Sequence, residues 1–172
     1  MTHAKLKCFS LLMAASPLVA TASDANAPEL EAINGLIDRY GQYQAGDAIG
    51  MSQLMAKDRV CLSQHFGGRR TDNVLNMQIQ QASLDTQQSE LPDIKDFVED
   101  RERVVRLLGD GKVATVSFFR YITRVFPAGT PPALREKYAT DPPLAISLVL
   151  ENRDGNWIIV HTHASELSMF RQ

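Results

Sequence analysis

The period of the hydrophobic positions changes a little past the middle of the chain. From Asn26 to Leu91 apolar residues recur every three or four positions, and from Ile94 onward they alternate with polar ones. The first spacing lines up side chains on one face of a helix, the second on one face of a strand. Leu30, Ile33, Leu36, Ile37, Tyr40 and Tyr43 make one apolar stripe, which predicts a first helix over 26–44. Asn26 and Glu29 have capping-box spacing, and Pro28 suits a first turn. Gly46-Asp47 ends that helix. Asp47 can then cap a shorter one running through Lys57, with Ile49, Met51, Leu54 and Met55 as its buried side. A short strand is expected over 59–64. Thr71 or Asp72 can cap a third helix reaching Leu91-Pro92, in which Val74, Leu75, Met77, Ile79, Ala82 and Leu84 face inward and five glutamines face water.

The second half reads as strands. Phe97 to Leu108 and Lys112 to Phe126 form a hairpin around Gly109-Asp110-Gly111. Leu144 to Glu151 and Trp157 to Ser165 form another around Asp154-Gly155. Between the hairpins lies an insertion, 127–143, with five prolines and a short predicted helix over 132–138. It is longer than a hairpin connection needs; a surface loop is the default reading, with a lid or a dimer arm as alternatives. Helices followed by antiparallel strands, with no internal repeat, predict a single α+β domain.

Candidate chemistry concentrates in the last strand, Trp157-Ile158-Ile159-Val160-His161-Thr162-His163-Ala164-Ser165. Strict alternation puts Trp157, Ile159, His161, His163 and Ser165 on one face, beginning in the core and ending in a polar pocket. His161 and His163 admit three readings: metal ligands with His65 as a third, acid–base or hydrogen-bonding groups in a pocket, or structural imidazoles. No carboxylate stands out as a fourth ligand, so no metal and no cofactor is assigned. On the central strand Ser117, Phe119, Tyr121 and Thr123 alternate with Phe118, Arg120, Ile122 and Arg124. With the first set inside, Tyr121 and Thr123 would join His163, Ser165 and the hydroxyl of Tyr40 in the pocket. With the second set inside, Arg120 and Arg124 would favour an anionic ligand. One bulge exchanges the two sets.

The closing strand, Trp followed by apolar residues and then His-x-His-x-Ser, resembles that of SnoaL-like proteins in the nuclear-transport-factor-2-like (NTF2-like) superfamily. The order of elements over about residues 28–168 matches too. The resemblance implies a cone in which three N-terminal helices pack in a curved, mainly antiparallel sheet, a pocket for a small organic molecule, and a homodimer formed through the sheet. It also implies acid–base work by His161 or His163, as in lyases, isomerases or cyclases of this kind, or else an oligomerising module with a vestigial pocket. Ketosteroid isomerases share the layout but carry a base aspartate where Ser63 falls here, and serine cannot replace it. The iota-class carbonic anhydrases close with His-His-Ser-Ser. His163 and Ser165 match that pattern, while Thr162 and Ala164 depart from it.

Composition changes this picture little. With 172 residues, 44% hydrophobic, and a net charge of −2, the chain can bury one core and shows no basic excess for nucleic acid. The N-terminus adds more. Lys5 and Lys7, an apolar run from Cys8 to Ala20, and Ala20-Thr21-Ala22 read as a secretory signal over 1–22, followed by a linker, 23–27. The expected protein is periplasmic or secreted, without a membrane anchor after processing, and ends in a short tail, 169–172. Removing the signal leaves Cys61 as the only cysteine, expected to be a buried, inert thiol.

Overall fold

Helix α1 (Ala27–Gln44) buries Ile33, Leu36, Ile37 and Tyr40, the stripe that the spacing predicts. The structure, a computed structural model, describes residues 26–63, 68–140 and 142–167. The signal segment 1–22, most of the linker, His65 and the tail lie outside those residues. Asn26 is the N-cap of α1, but the capping box does not form. Glu29 instead accepts a hydrogen bond from the Trp157 indole N–H at 2.6 Å, which ties the first turn of α1 to the last strand.

Helix α2 (Ala48–Ser52) is shorter than expected, because the chain enters strand β1 (Met55–Ser63) four residues before the strand the sequence predicts. Asp47 caps α2 by accepting from Gly50 N at 2.6 Å. With the Asp47 carboxylate where it is, a Cβ at position 50 would collide with it, so a larger residue there would make that carboxylate shift. A three-residue strand β2 (Gly68–Arg70), which the pattern did not predict, pairs with β1. Helix α3 (Asn73–Glu90) starts at Asp72, whose carboxylate accepts from Leu75 N at 3.0 Å. Its buried side is Asn73, Asn76 and Met77. Val74, Leu75 and Ile79, expected inside, are about half exposed.

Strands β3 (Lys95–Leu108), β4 (Val113–Val125), β5 (Leu144–Arg153) and β6 (Asn156–Glu166) form an antiparallel meander, and helix α4 (Pro132–Lys137) lies in the insertion. β1 joins β6 in parallel, giving a six-stranded sheet in the order β2-β1-β6-β5-β4-β3. The turns have the backbone that tight hairpins need: Asp154 and Gly155 both have positive φ. Among the described residues the register shifts at three places: in β1 between Met55 and Val60, where it pairs with β6, in β3 and in β6. In β3, Glu102 takes φ 56° between Arg101 and Val104, and Arg103 then reaches α1 at Asn34 and Asp38. In β6 the pairing steps from Leu150↔Ile159 to Val149↔His161, leaving Val160 as the extra residue. Bulges of this kind bend and twist a sheet.

The inner face of the sheet packs on the helices. Val116 and Phe118 from β4, Ile146, Leu148 and Leu150 from β5, and Trp157 and Ile159 from β6 meet Ile33, Leu36, Ile37, Met51 and Met77 in one core. This is the α+β arrangement expected: helices on one face of a curved, mainly antiparallel sheet.

Candidate functional site

Continuing along the inner face past this core, the side chains become polar and leave a cavity of about 110 Å³. Tyr40 closes it from α1, Met51 from α2, and Met77 and Gln80 from α3. The sheet contributes Arg59, Cys61 and Ser63 from β1, Arg120 and Ile122 from β4, Leu144 and Ile146 from β5, and Thr162 and Ala164 from β6. The wall is therefore mixed: methionines and aliphatics on several sides, with hydroxyls, a thiol and two guanidinium groups between them.

The bulge at Val160 decides which part of β6 reaches this cavity. Without it, the face that carries Trp157 and Ile159 would continue through His161, His163 and Ser165, as strict alternation predicts. The extra residue reverses the alternation, so Thr162 and Ala164 follow Ile159 on the inner face. Cys61 and Ser63 sit beside them on β1 and also face the cavity. His161, His163 and Ser165 point away. His163 pairs across from Ser147 and is exposed, and Ser165 lies opposite Ala145. His161 lines a separate groove on the outer face with Arg106, Thr115, Ser117, Ser147 and Val149. The shared pocket expected for the two imidazoles and the serine is corrected accordingly.

On β4 the second of the two registers holds. Phe118, Arg120 and Ile122 face inward, while Tyr121 and Thr123 face out, with the Tyr121 ring stacked under the Arg101 guanidinium at 4.5 Å. The expectation that Tyr121 and Thr123 line the pocket is thus overturned, and the alternative that puts Arg120 and Arg124 inside is the one observed. Tyr40 is the one residue of the expected set that does face the cavity.

The charges inside are arranged unequally. Arg120, 1% exposed, makes a two-pronged ion pair with Asp100 on β3, both contacts at 2.8 Å. Its guanidinium stacks over Tyr40 at 4.5 Å. Arg124 pairs with Asp96 in the same way four residues further along β4. Arg59, 3% exposed, donates from Nε to Asn73 Oδ1 and from Nη1 to Thr162 Oγ1, each at 2.9 Å. Both acceptors are neutral. Cys61 sits on the same strand face; burial pushes its thiol pKa up, and the charges of Arg59 and Arg70 oppose that rise. Cys61 stays protonated near neutral pH, as an inert buried thiol does.

A wider recess of about 440 Å³ adjoins the cavity and shares Met51, Gln80 and Ile122 with it. Its outer wall is the insertion, through Lys137, Tyr138 and Ala139. Lys137 Nζ and the Tyr138 hydroxyl both donate to Glu90 at the end of α3, at 2.7 and 2.8 Å, and Arg124 donates to the Tyr138 carbonyl at 2.7 Å. These bonds hold α4 beside the recess. Among the described residues, no group of three or more side chains is placed to hold a metal ion.

Neither Arg59 nor Thr162 is among the site residues that the sequence predicts. Arg59 opens a strand expected to be apolar, yet Arg59, Cys61 and Ser63 at alternate positions carry the signal of a polar inner face. Thr162 was hidden by the assumption of unbroken alternation in β6.

No protein-family model and no curated protein matches the chain. Solved structures do. An NTF2-like protein with a cystatin-like fold from Novosphingobium aromaticivorans superposes with a TM-score of 0.64 at 18% identity, covering 86% of this chain and 87% of that one. ActVI-ORFA from Streptomyces coelicolor gives 0.60 at 14% identity, over 78% and 94%. A Catenulispora acidiphila protein in complex with S-DNPA gives 0.61 at 9% identity, over 81% and 93%. This chain has the cystatin-like fold of NTF2-like proteins.

Proposed function

We propose that this is an exported protein that binds a small organic molecule in the cavity between β1, β4, β5, β6 and the three N-terminal helices. The observation that carries the reading is the mixed lining of that cavity, in which buried Arg59, Thr162, Ser63 and Tyr40 stand among Met51, Met77, Ile122 and Ile146. A wall made only for stability would be closed by apolar side chains, whereas a mostly apolar pocket with a few convergent polar groups is what ligand sites share. An apolar cavity of roughly 150 Å³ accepts benzene, so about 110 Å³ suits a molecule smaller than benzene, or one end of a larger one. The adjoining recess leaves room for a longer tail. That a protein of the same fold was obtained in complex with S-DNPA is consistent with a ligand-binding role for the scaffold.

The acid–base reading has less support. It relied on His161 and His163, and the described lining of the cavity holds neither a histidine nor a carboxylate. Binding is therefore preferred to lyase, isomerase or cyclase chemistry. Native mass spectrometry of the protein purified from its own cells tests this. The expected spectrum shows a retained small molecule that is lost in a cavity-filling Ala164→Phe variant. A ligand retained equally by that variant would overturn the reading. Export rests on the order of features in residues 1–22. The mature protein should begin at Ser23, and an intact Met1 on protein recovered from the cell envelope contradicts it.

A further inference from the structure

The two buried guanidinium groups at the cavity are not equivalent. Asp100 neutralises Arg120. Arg59 has no such partner: among the described residues no carboxylate lies within ion-pair distance of it, and its hydrogen bonds go to Asn73 and Thr162. Those bonds use two of the five N–H groups that a guanidinium carries in a planar fork. A buried charge is costly unless it is paired, and this one is held rigidly at a cavity wall by two neutral acceptors.

A second buried group beside it is also unsatisfied. Asn76 is 2% exposed, and neither its amide nitrogen nor its amide oxygen has a hydrogen-bond partner among the described residues. It stands one turn after Asn73, which holds Arg59, and one turn before Gln80, which lines the cavity. Residues three and four apart share a helix face. Unpaired buried polar groups are rare in native proteins, and each calls for a reason. Arg59 lines the cavity, and the unpaired amide lies on the stretch of α3 between the residue that holds Arg59 and the one that reaches the cavity.

We infer that Arg59 anchors the carboxylate of a small monocarboxylic acid. This deepens the pocket reading above and rests on it. Of the two guanidinium groups that line the cavity, Asp100 neutralises Arg120 and leaves Arg59 to meet a single negative charge, which suits a monoanion better than a phosphate dianion. The guanidinium fork matches a planar carboxylate. Met51, Met77, Ile122, Leu144, Ile146 and Ala164 then receive the adjacent part of an apolar body, and a ring fits by extending past Met51 and Ile122 into the adjoining recess.

The test is calorimetric titration of the purified full chain with benzoate, benzamide and inorganic phosphate, repeated on Arg59→Met and Arg59→Lys. Benzoate is expected to bind at least tenfold more tightly than benzamide, with phosphate weaker than either. Arg59→Met should reduce the benzoate preference to less than twofold while benzamide binding is kept, and Arg59→Lys should restore part of it. Equal binding of benzoate and benzamide by the natural protein overturns the carboxylate inference and leaves the pocket reading standing. So does tighter binding of phosphate. If none of these probes binds and the protein from its own cells carries no ligand, the pocket reading falls and the inference with it. The comparison of benzoate with benzamide needs no variant, so it decides the matter even if Arg59→Met does not fold.

Discussion

Asp100 and Arg120 show how one buried pair ties the sheet to the helices. Both side chains are almost fully enclosed, the guanidinium is stacked on Tyr40, and the backbone of α1 approaches both where Gly41 has no side chain. Breaking a buried pair by removing one charge costs more than the pair contributes, because the other charge stays in a poor solvent. Asp100→Asn should therefore lower the unfolding free energy by about 3 kcal/mol, measured by urea denaturation. A loss as small as that of an exposed ion pair would contradict the account. The pair also shows what was legible at this level. Arg120 and Asp100 are plain in the sequence, but their inward direction is not, because an alternating strand reads equally well with either face inside. Tyr121 and Thr123 looked like the pocket residues; the register of β4 turns them to the outer face, and nothing local to those residues announces it.

The elements themselves were easier to read than their faces. The stripe of α1, the Asp47 and Asp72 caps, both hairpin turns and the short helix of the insertion are local signals, and all of them form. The bulge at Val160 is not local. It depends on how β6 meets β5 on one side and β1 on the other, so a strand that reads as perfectly alternating carries its histidines outward. The insertion gives a prediction at this level. Glu90 holds α4 through Lys137 and Tyr138, and those hydrogen bonds keep its carboxyl below the usual carboxylate range while raising the Lys137 pKa. The Glu90 contribution is fully present above the ordinary carboxylate pKa and is lost as pH falls through the lowered value. The Lys137 contribution is present below the ordinary lysine pKa and is lost as pH rises through the raised one. Between those limits the clasp is intact. Both groups are at the surface, so Glu90→Gln should barely move the melting midpoint. Amide exchange over 135–138 should nevertheless be several-fold faster in that variant at neutral pH. In the natural protein the protection factor there, corrected for the intrinsic pH dependence of exchange, should fall in the same way only in strong acid. Unchanged exchange in Glu90→Gln would mean that α4 is held by other contacts.

For the whole molecule, the exposed apolar side chains of the outer sheet face, Phe97, Val104, Leu108 and Val125, raise the question of assembly. We propose a homodimer through this face, since covering it removes apolar area from water at roughly 25 cal/mol for each Å². Light scattering should give about twice the mature monomer mass, and Val104→Glu should shift it toward the monomer. A strict monomer at high micromolar concentration excludes this arrangement. The proposed dimer face and the proposed binding cavity lie on opposite faces of one sheet, and that separation allows the central claim to be tested directly. The measurement is the affinity of benzoate, or of the ligand identified by mass spectrometry, for the natural protein, for Ala164→Phe and for His163→Ala. Ala164 lines the cavity and His163 lies on the outer face, one residue apart in the same strand. The account predicts that Ala164→Phe abolishes binding with the fold retained, while His163→Ala binds as the natural protein does. Loss of binding in His163→Ala with full binding in Ala164→Phe would place the site on the other side of the sheet and contradict it.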